Sequence, residues 1–186
     1  IRKRNHRSSK LLKEIIIVGH GLAGAILAHT LIDRGLKVCC SEGKIKYSAS
    51  RIATGLINPF IGPKLNIPFE FQRCTEVNFH FFKKLEDESN EILLKPEPLL
   101  RVFKSKTQRN KWDEYTKNSD SSRYILSFHS REKLAESEIM GKYGAGETQA
   151  FRLNVEKFLQ LSRQKLESMD CWTEEIFKHT HMKDND

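Results

Sequence analysis

The sequence contains no apolar run long enough to cross a membrane: runs such as Ile15–Val18 have four residues, against the roughly 18 that a span requires. It also lacks the C-x-x-C spacing of zinc and redox motifs, although it has four cysteines: Cys39, Cys40, Cys74 and Cys171. The adjacent pair Cys39 and Cys40 cannot easily form a disulfide with each other. These absences argue against a membrane protein and a disulfide-stabilised secreted domain, and they favour reduced thiols in a cytoplasmic protein.

Acidic residues are absent from the first ten positions. That segment carries five basic residues, namely Arg2, Lys3, Arg4, Arg7 and Lys10, and without them the net charge falls from +8 to +3. A remaining charge this small gives no support to a nucleic-acid partner. We predict that residues 1–12 form a disordered basic tail and that residues 176–186 form a polar tail.

Strand, glycine turn, helix and strand follow one another early in the chain. Lys13–Val18 is a short run rich in β-branched residues, typical of a strand buried in a parallel sheet. Leu22–Asp33 has apolar residues at helical spacing, and Gly35 stands where the glycine after a helix belongs. Leu36–Ser41 predicts a second strand, which Glu42 follows. This order predicts one βαβ unit.

The turn between the first strand and the helix has the spacing G-x-G-x-x-G. Its residues are Gly19, His20, Gly21, Leu22, Ala23 and Gly24. The first glycine permits a tight turn, the second lets backbone N–H groups approach a pyrophosphate, and the third lets the helix pack closely on the strand. The positive end of the helix faces the phosphates. We predict that all six residues contact a dinucleotide, and we expect the side chain of His20 to be partly exposed.

Glu42 lies 18 residues after Gly24, where an acid hydrogen-bonds the ribose hydroxyls of a dinucleotide. An acid at this place disfavours the 2′-phosphate of NADP. The alternative is an ordinary glycine-rich turn with a solvated Glu42.

The chain after Glu42 does not continue with the second helix and strand of a nicotinamide-binding Rossmann domain. Instead, glycines and prolines interrupt residues 47–63, which predicts a structured loop. Beyond it, we predict a helix at 69–88, strands at 91–95 and 99–104, a helix at 105–118, a strand at 148–153 and a helix from Asn154 to about Ser168.

The segment Ser48–Pro59 (SASRIATGLINP) resembles the serine-containing A-x-G-L loop of the D-amino-acid oxidase-like (DAO) family of flavoproteins. The resemblance continues through the aromatic helix with Phe79–Phe82 and through Pro98–Phe103 (PLLRVF), and it covers most of residues 13–170. It implies that the dinucleotide is FAD, and it adds five cofactor-binding residues: Ser50, Arg51, Ala53, Gly55 and Leu56. By this resemblance the loop lies beside the pyrophosphate and the isoalloxazine. Arg51 would offset phosphate charge. The alternative is a rigid surface connection.

The predicted fold class is α/β: an FAD/NAD(P)-binding Rossmann-like βαβ unit within residues 13–68, followed by part of an α+β substrate domain at 69–175. Family members are much longer, so we expect the chain to be a truncated, N-terminal part. A parallel sheet of only two strands cannot bury both faces. We therefore expect residues 1–186 alone to bind FAD weakly or not at all.

The resemblance implies an FAD-dependent oxidoreductase that oxidises a C–N bond of a small-molecule amine or amino acid by hydride transfer to the flavin. Because the flavin carries this chemistry, no catalytic side chain is singled out. No metal site is predicted, since His179 and His181 lack cysteine or acidic partners at ligand spacing. Two alternatives stay open: an NAD-binding dehydrogenase or reductase module, and a non-catalytic truncated remnant.

Overall fold

The computed structural model describes residues 15–43 and 48–178. The predicted basic tail at 1–12, the pair His179 and His181, and the polar tail beyond residue 178 lie outside these ranges. The strands are β1 (Ile15–Val18), β2 (Val38–Ser41), β3 (Leu56–Ile57), β4 (Leu94–Pro96), β5 (Leu99–Val102), β6 (Ile125–His129), β7 (Ala145–Thr148), β8 (Phe151–Leu153) and β9 (Trp172–Thr173). The helices are α1 (Leu22–Asp33), α2 (Ala49–Ile52), α3 (Phe71–Ser89), α4 (Lys106–Lys117), α5 (Ser119–Ser122), α6 (Arg131–Glu136) and α7 (Val155–Ser168).

The chain forms two compact units, and the first is discontinuous. The described residues up to Ile52 and from Val155 onward form the first unit, and Ala53–Asn154 form the second. The predicted boundaries differ from this division: they joined residues 53–68 to the βαβ unit and placed 155–175 in the substrate domain. The physical reason is that α7 packs on α1 and that β9 pairs with β2.

The first unit is built on a parallel sheet with the strand order β1-β2-β9. Ile15 aligns with Val38, and Cys40 aligns with Trp172. Helices α1 and α7 contribute to a core on one face of the sheet, which consists of Ile17, Ala28, Val38, Cys40, Leu166 and Cys171. The expectation of a sheet with two strands is therefore wrong, because β9 supplies a third strand from within the chain.

The second unit contains two antiparallel sheets, with the orders β3-β8-β4 and β5-β7-β6. Residues 47–63, predicted as a loop, include α2 and β3, because β3 finds a partner in β8 far along the chain. The single strand predicted at 148–153 is two strands, β7 and β8, which belong to different sheets. The core contains Phe60, Leu65, Phe103 and Trp112.

Strands β4 and β5 and helices α3, α4 and α7 lie within three residues of their predicted bounds. In the ranges that the structure describes, no helix combines the length and apolar character needed to cross a bilayer.

Candidate functional site

The glycine turn brings the start of α1 unusually close to the end of β1. Gly19 has a φ of 97°, a left-handed conformation that side chains disfavour. A Cβ atom on Gly24 would lie 2.1 Å from the carbonyl oxygen of Gly19. The first and third glycines therefore have the conformational and packing roles that their spacing predicts.

Gly21 leaves room for a side chain from the following loop. The N–H of Leu22 donates a hydrogen bond of 2.9 Å to Oγ of Ser50, and a Cβ on Gly21 would lie 2.9 Å from the same oxygen. Gly21 itself gives α1 no side-chain cap, and the first turn of α1 has no acidic residue. The structure therefore holds a serine hydroxyl at the positive end of a helix whose first turn carries no negative charge.

Glu42 directly follows β2, which runs parallel to β1, so its backbone lies at the same edge of the sheet as the glycine turn. Its side chain is nearly buried, with 10% exposed. The Nη2 atom of Arg51 lies 3.6 Å from Oε2 of Glu42. Arg51 is predicted to offset phosphate charge, and the structure places it beside Glu42, the residue predicted to bind the ribose. Since half of the Arg51 side chain is exposed, solvent screens this pair and it stabilises the fold only slightly.

His20 is buried, with 3% of its surface exposed, so the expectation of a partly exposed side chain is wrong. Helix α7 covers it, and its Nε2 lies 2.8 Å from Oγ of Ser162 on that helix. Burial lowers the pKa of His20 to about 4, and the charges of His29, Arg163 and Arg51 add to the effect. His20 is therefore neutral near pH 7.

We expect the free energy of unfolding to fall as the pH drops from 6.5 towards about 4. In the unfolded chain His20 binds a proton around its ordinary pKa of 6.5, whereas the fold holds that pKa at about 4. The unfolded state therefore binds more protons in this window, and lowering the pH favours it. At about 1.4 kcal/mol per pKa unit, the loss reaches about 3 kcal/mol. Urea unfolding across this range should show a flatter profile for His20→Gln; an unchanged slope would contradict the assignment to His20.

Three of the predicted cofactor residues lie in the second unit, where the backbone enters β3. Ala53 is exposed. Gly55 has a φ of 70°, and its carbonyl oxygen accepts a hydrogen bond from the N–H of Leu153. Leu56 is aligned with Arg152 of β8. The other predicted residues, Gly19 to Gly24, Glu42, Ser50 and Arg51, belong to the first unit.

Helix α7 supplies part of the first unit's site region that the sequence analysis did not identify. A cavity of about 340 Å³ is lined by His20, Arg51, Glu156, Leu159, Gln160 and Arg163. The buried Ser162 lies on the same helix. A signal was present in the sequence: Ser162 stands between Phe158 and Leu166 at four-residue spacing, which places a polar residue on an apolar helix face.

Comparison with protein families gives a match over residues 14–182 to the model described as FAD dependent oxidoreductase (DAO). The chain belongs to the family of FAD-dependent oxidoreductases. The match confirms the predicted family and its cofactor, FAD, and it disfavours the NAD-binding alternative. Comparison with curated protein sequences gives no match.

Solved structures with a similar fold include an L-amino acid deaminase from Proteus vulgaris, with a TM-score of 0.61, 17% identity, and coverage of 84% of this chain and 38% of that one. Iminodiacetate oxidase from Chelativorans has a TM-score of 0.62 at 13% identity, covering 87% of this chain and 46% of that one. Glycine oxidase from Bacillus cereus has a TM-score of 0.61 at 14% identity, and the match covers 87% of this chain and 46% of that one. These similarities show the α/β fold, and the chain spans less than half the length of each structure.

Proposed function

We propose that this member of the FAD-dependent oxidoreductase family binds FAD at its glycine turn. We further propose that it is the N-terminal part of an enzyme that oxidises a C–N bond of an amine or amino acid by hydride transfer to the flavin. The observation that carries the cofactor proposal is the close approach of Gly24 to Gly19 at the start of α1, with Glu42 at the end of the neighbouring parallel strand. The amino acid deaminase and glycine oxidase with this fold support an amino-acid substrate.

The pyrophosphate is assigned to the N-terminus of α1. Backbone N–H groups in the first turn of a helix have no partner within the helix, and they attract anions. Ser50 accepts the N–H of Leu22, and a hydroxyl that accepts a hydrogen bond can still donate its own hydrogen. Ser50 can therefore donate to a phosphate oxygen while it holds the end of the helix in place. Gly21 makes this arrangement possible, because a larger residue would displace the Ser50 side chain.

The ribose of the adenosine is assigned to Glu42. A carboxylate accepts hydrogen bonds from two neighbouring hydroxyls, and a largely buried carboxylate forms stronger ones than a solvated group. Arg51, 3.6 Å from that carboxylate, brings a positive charge to the same edge of the sheet. Because half of its side chain is exposed, Arg51 has room to turn from Glu42 towards a phosphate.

The flavin, when bound, supplies the electron-accepting chemistry, so this chain's residues need only bind and orient it. The family resemblance assigns Ala53, Gly55 and Leu56 to the cofactor as well.

The first test is a titration of the purified chain with FAD and, separately, with NAD. The sequence alone predicts weak or no FAD binding, because it predicts a parallel sheet of only two strands. Since β9 supplies a third strand, we instead expect quenching of flavin fluorescence and a shift of flavin absorption with FAD, and no binding of NAD. A chain that binds neither would support the non-catalytic remnant, and one that binds only NAD would support the dehydrogenase or reductase module. Oxidation of amino acids, followed as hydrogen peroxide or dye reduction, would then be measured with a longer gene product.

Replacing Glu42 by glutamine should weaken FAD binding about tenfold, since a hydrogen bond to a charged group contributes about 1.5–3 kcal/mol and a neutral acceptor retains part of it. Glu136→Gln is the matched control, because it removes the same charge from an exposed position in the second unit. Dissociation constants from fluorescence titration check the prediction. Equal affinities of the two variants would exclude Glu42 from the site.

A further inference from the structure

Three buried polar side chains meet where the glycine turn and α1 contact α7. His20 and His29 each have 3% of their surface exposed, and Ser162 has 1%. The hydroxyl oxygen of Ser162 lies 2.8 Å from Nε2 of His20 and 3.0 Å from Nε2 of His29. One hydroxyl therefore contacts two rings, one from the turn and one from α1.

A serine hydroxyl can serve both rings at once, because it has one hydrogen to donate and two lone pairs that accept. A neutral imidazole offers a donor on one nitrogen and an acceptor on the other, so several combinations of tautomers satisfy the cluster. Removal of the hydroxyl would deprive two buried ring nitrogens of this partner. Buried polar groups that lose a partner are costly, so the cluster favours one arrangement of the turn.

Because His20 is part of the glycine turn, the cluster that holds its ring also restrains the turn. His20 lies between Gly19 and Gly21, so fixing its ring also restrains the backbone on both sides. The ring is also held by Trp172 of β9, whose ring centroid lies 4.9 Å away in an edge-to-face arrangement. Ser162 and Trp172 are both distant in sequence, and both belong to the first unit.

We propose that Ser162 is a positioning residue for the dinucleotide: through His20 and His29 it holds the glycine turn in the conformation that receives the pyrophosphate. This inference rests on the proposed function. Ser162 does not itself touch the cofactor in this proposal. It acts on the turn indirectly, through its contacts with the rings of His20 and His29.

The test uses the full chain with Ser162→Ala, and with Ser168→Ala as the matched control. Ser168 is an exposed serine at the end of the same helix, so its substitution also removes a hydroxyl from α7 but leaves the cluster intact. Hydrogen exchange measures the amides of residues 19–25, and fluorescence titration measures the affinity for FAD. We expect Ser162→Ala to accelerate exchange in the turn and to weaken FAD binding about tenfold, a size typical of leaving buried partners unsatisfied.

A conservative variant separates positioning from mere stability. Ser162→Thr keeps a hydroxyl that can reach both histidine rings, and it should retain FAD affinity within about threefold. If Ser162→Ala lowers the melting temperature but leaves turn exchange and FAD affinity equal to those of Ser168→Ala, the role is structural and the inference is overturned. If the unmodified chain does not bind FAD, the proposed function fails, while the exchange data still decide whether Ser162 holds the turn.

Discussion

Gly24→Ala is expected to destabilise the first unit strongly and to abolish FAD binding. The added Cβ would lie 2.1 Å from the carbonyl oxygen of Gly19 and 3.2 Å from its carbonyl carbon. Both are backbone atoms, so the contact cannot be relieved by rotating a side chain. Either α1 moves away from β1, or the turn changes conformation, and each would disturb the surface assigned to the pyrophosphate. Overpacking of this severity costs about 3 kcal/mol or more.

Gly35→Ala is the matched control for this substitution. Gly35 follows α1 and has a φ of 78°, but a Cβ there would meet nothing within 4 Å. The variant should lose only the cost of a left-handed alanine, about 1 kcal/mol, and it should keep its affinity for FAD. Urea unfolding and fluorescence titration measure both effects. A Gly24→Ala chain that is as stable and binds as tightly as Gly35→Ala would contradict the proposed role of Gly24.

The βαβ unit could be predicted from the sequence because each of its signals is local. The β-branched run of β1, the glycine spacing and the period of α1 all act over a few neighbouring residues. Gly35 ends the helix where predicted, with its N–H bonded to the carbonyl oxygen of Ile32. The position of Glu42 at the edge of the sheet could be predicted for the same reason, since Glu42 directly follows the second strand.

The third strand and its helix could not be assigned to the first unit in this way. The periodicity of α7 predicts a helix with one apolar face, but it does not specify which sheet that face will cover. Strand β9 has only two residues, too few for an alternating pattern. Its place beside β2 depends on partners more than 130 positions earlier, such as Cys40 for Trp172.

The burial of His20 illustrates the same limit within the candidate site. The sequence places His20 in a turn, where side chains are commonly exposed. Its burial depends on α7 and on the hydroxyl of Ser162, which no local pattern around residue 20 indicates. The placement of Arg51 beside Glu42 likewise depends on α2, a single helical turn inside a segment that its glycines and prolines mark as a loop.

Leu166→Ala should destabilise the first unit by about 3 kcal/mol, within the usual range for a leucine truncated in a core. Leu166 is fully buried and belongs to the cluster that joins α7 to Ile17, Ala28 and Val38. Its carbonyl oxygen accepts the N–H of Cys171, whose own carbonyl oxygen accepts the N–H of Cys40. The loss of this side chain therefore loosens both the helix and the connection that leads into β9.

The same substitution should also affect the proposed cofactor site, because α7 carries Ser162 and covers His20. We expect Leu166→Ala to weaken FAD binding together with stability, whereas Gln164→Ala, an exposed position on the same helix, should change neither. Urea unfolding and FAD titration of both variants provide the comparison. If Leu166→Ala matched Gln164→Ala in both measurements, residues 155–173 would not complete the first unit, and the division predicted from the sequence, with the βαβ unit ending before residue 69, would be the better description. If the two effects appear together, the glycine turn depends on a helix that follows the whole of the second unit in the sequence.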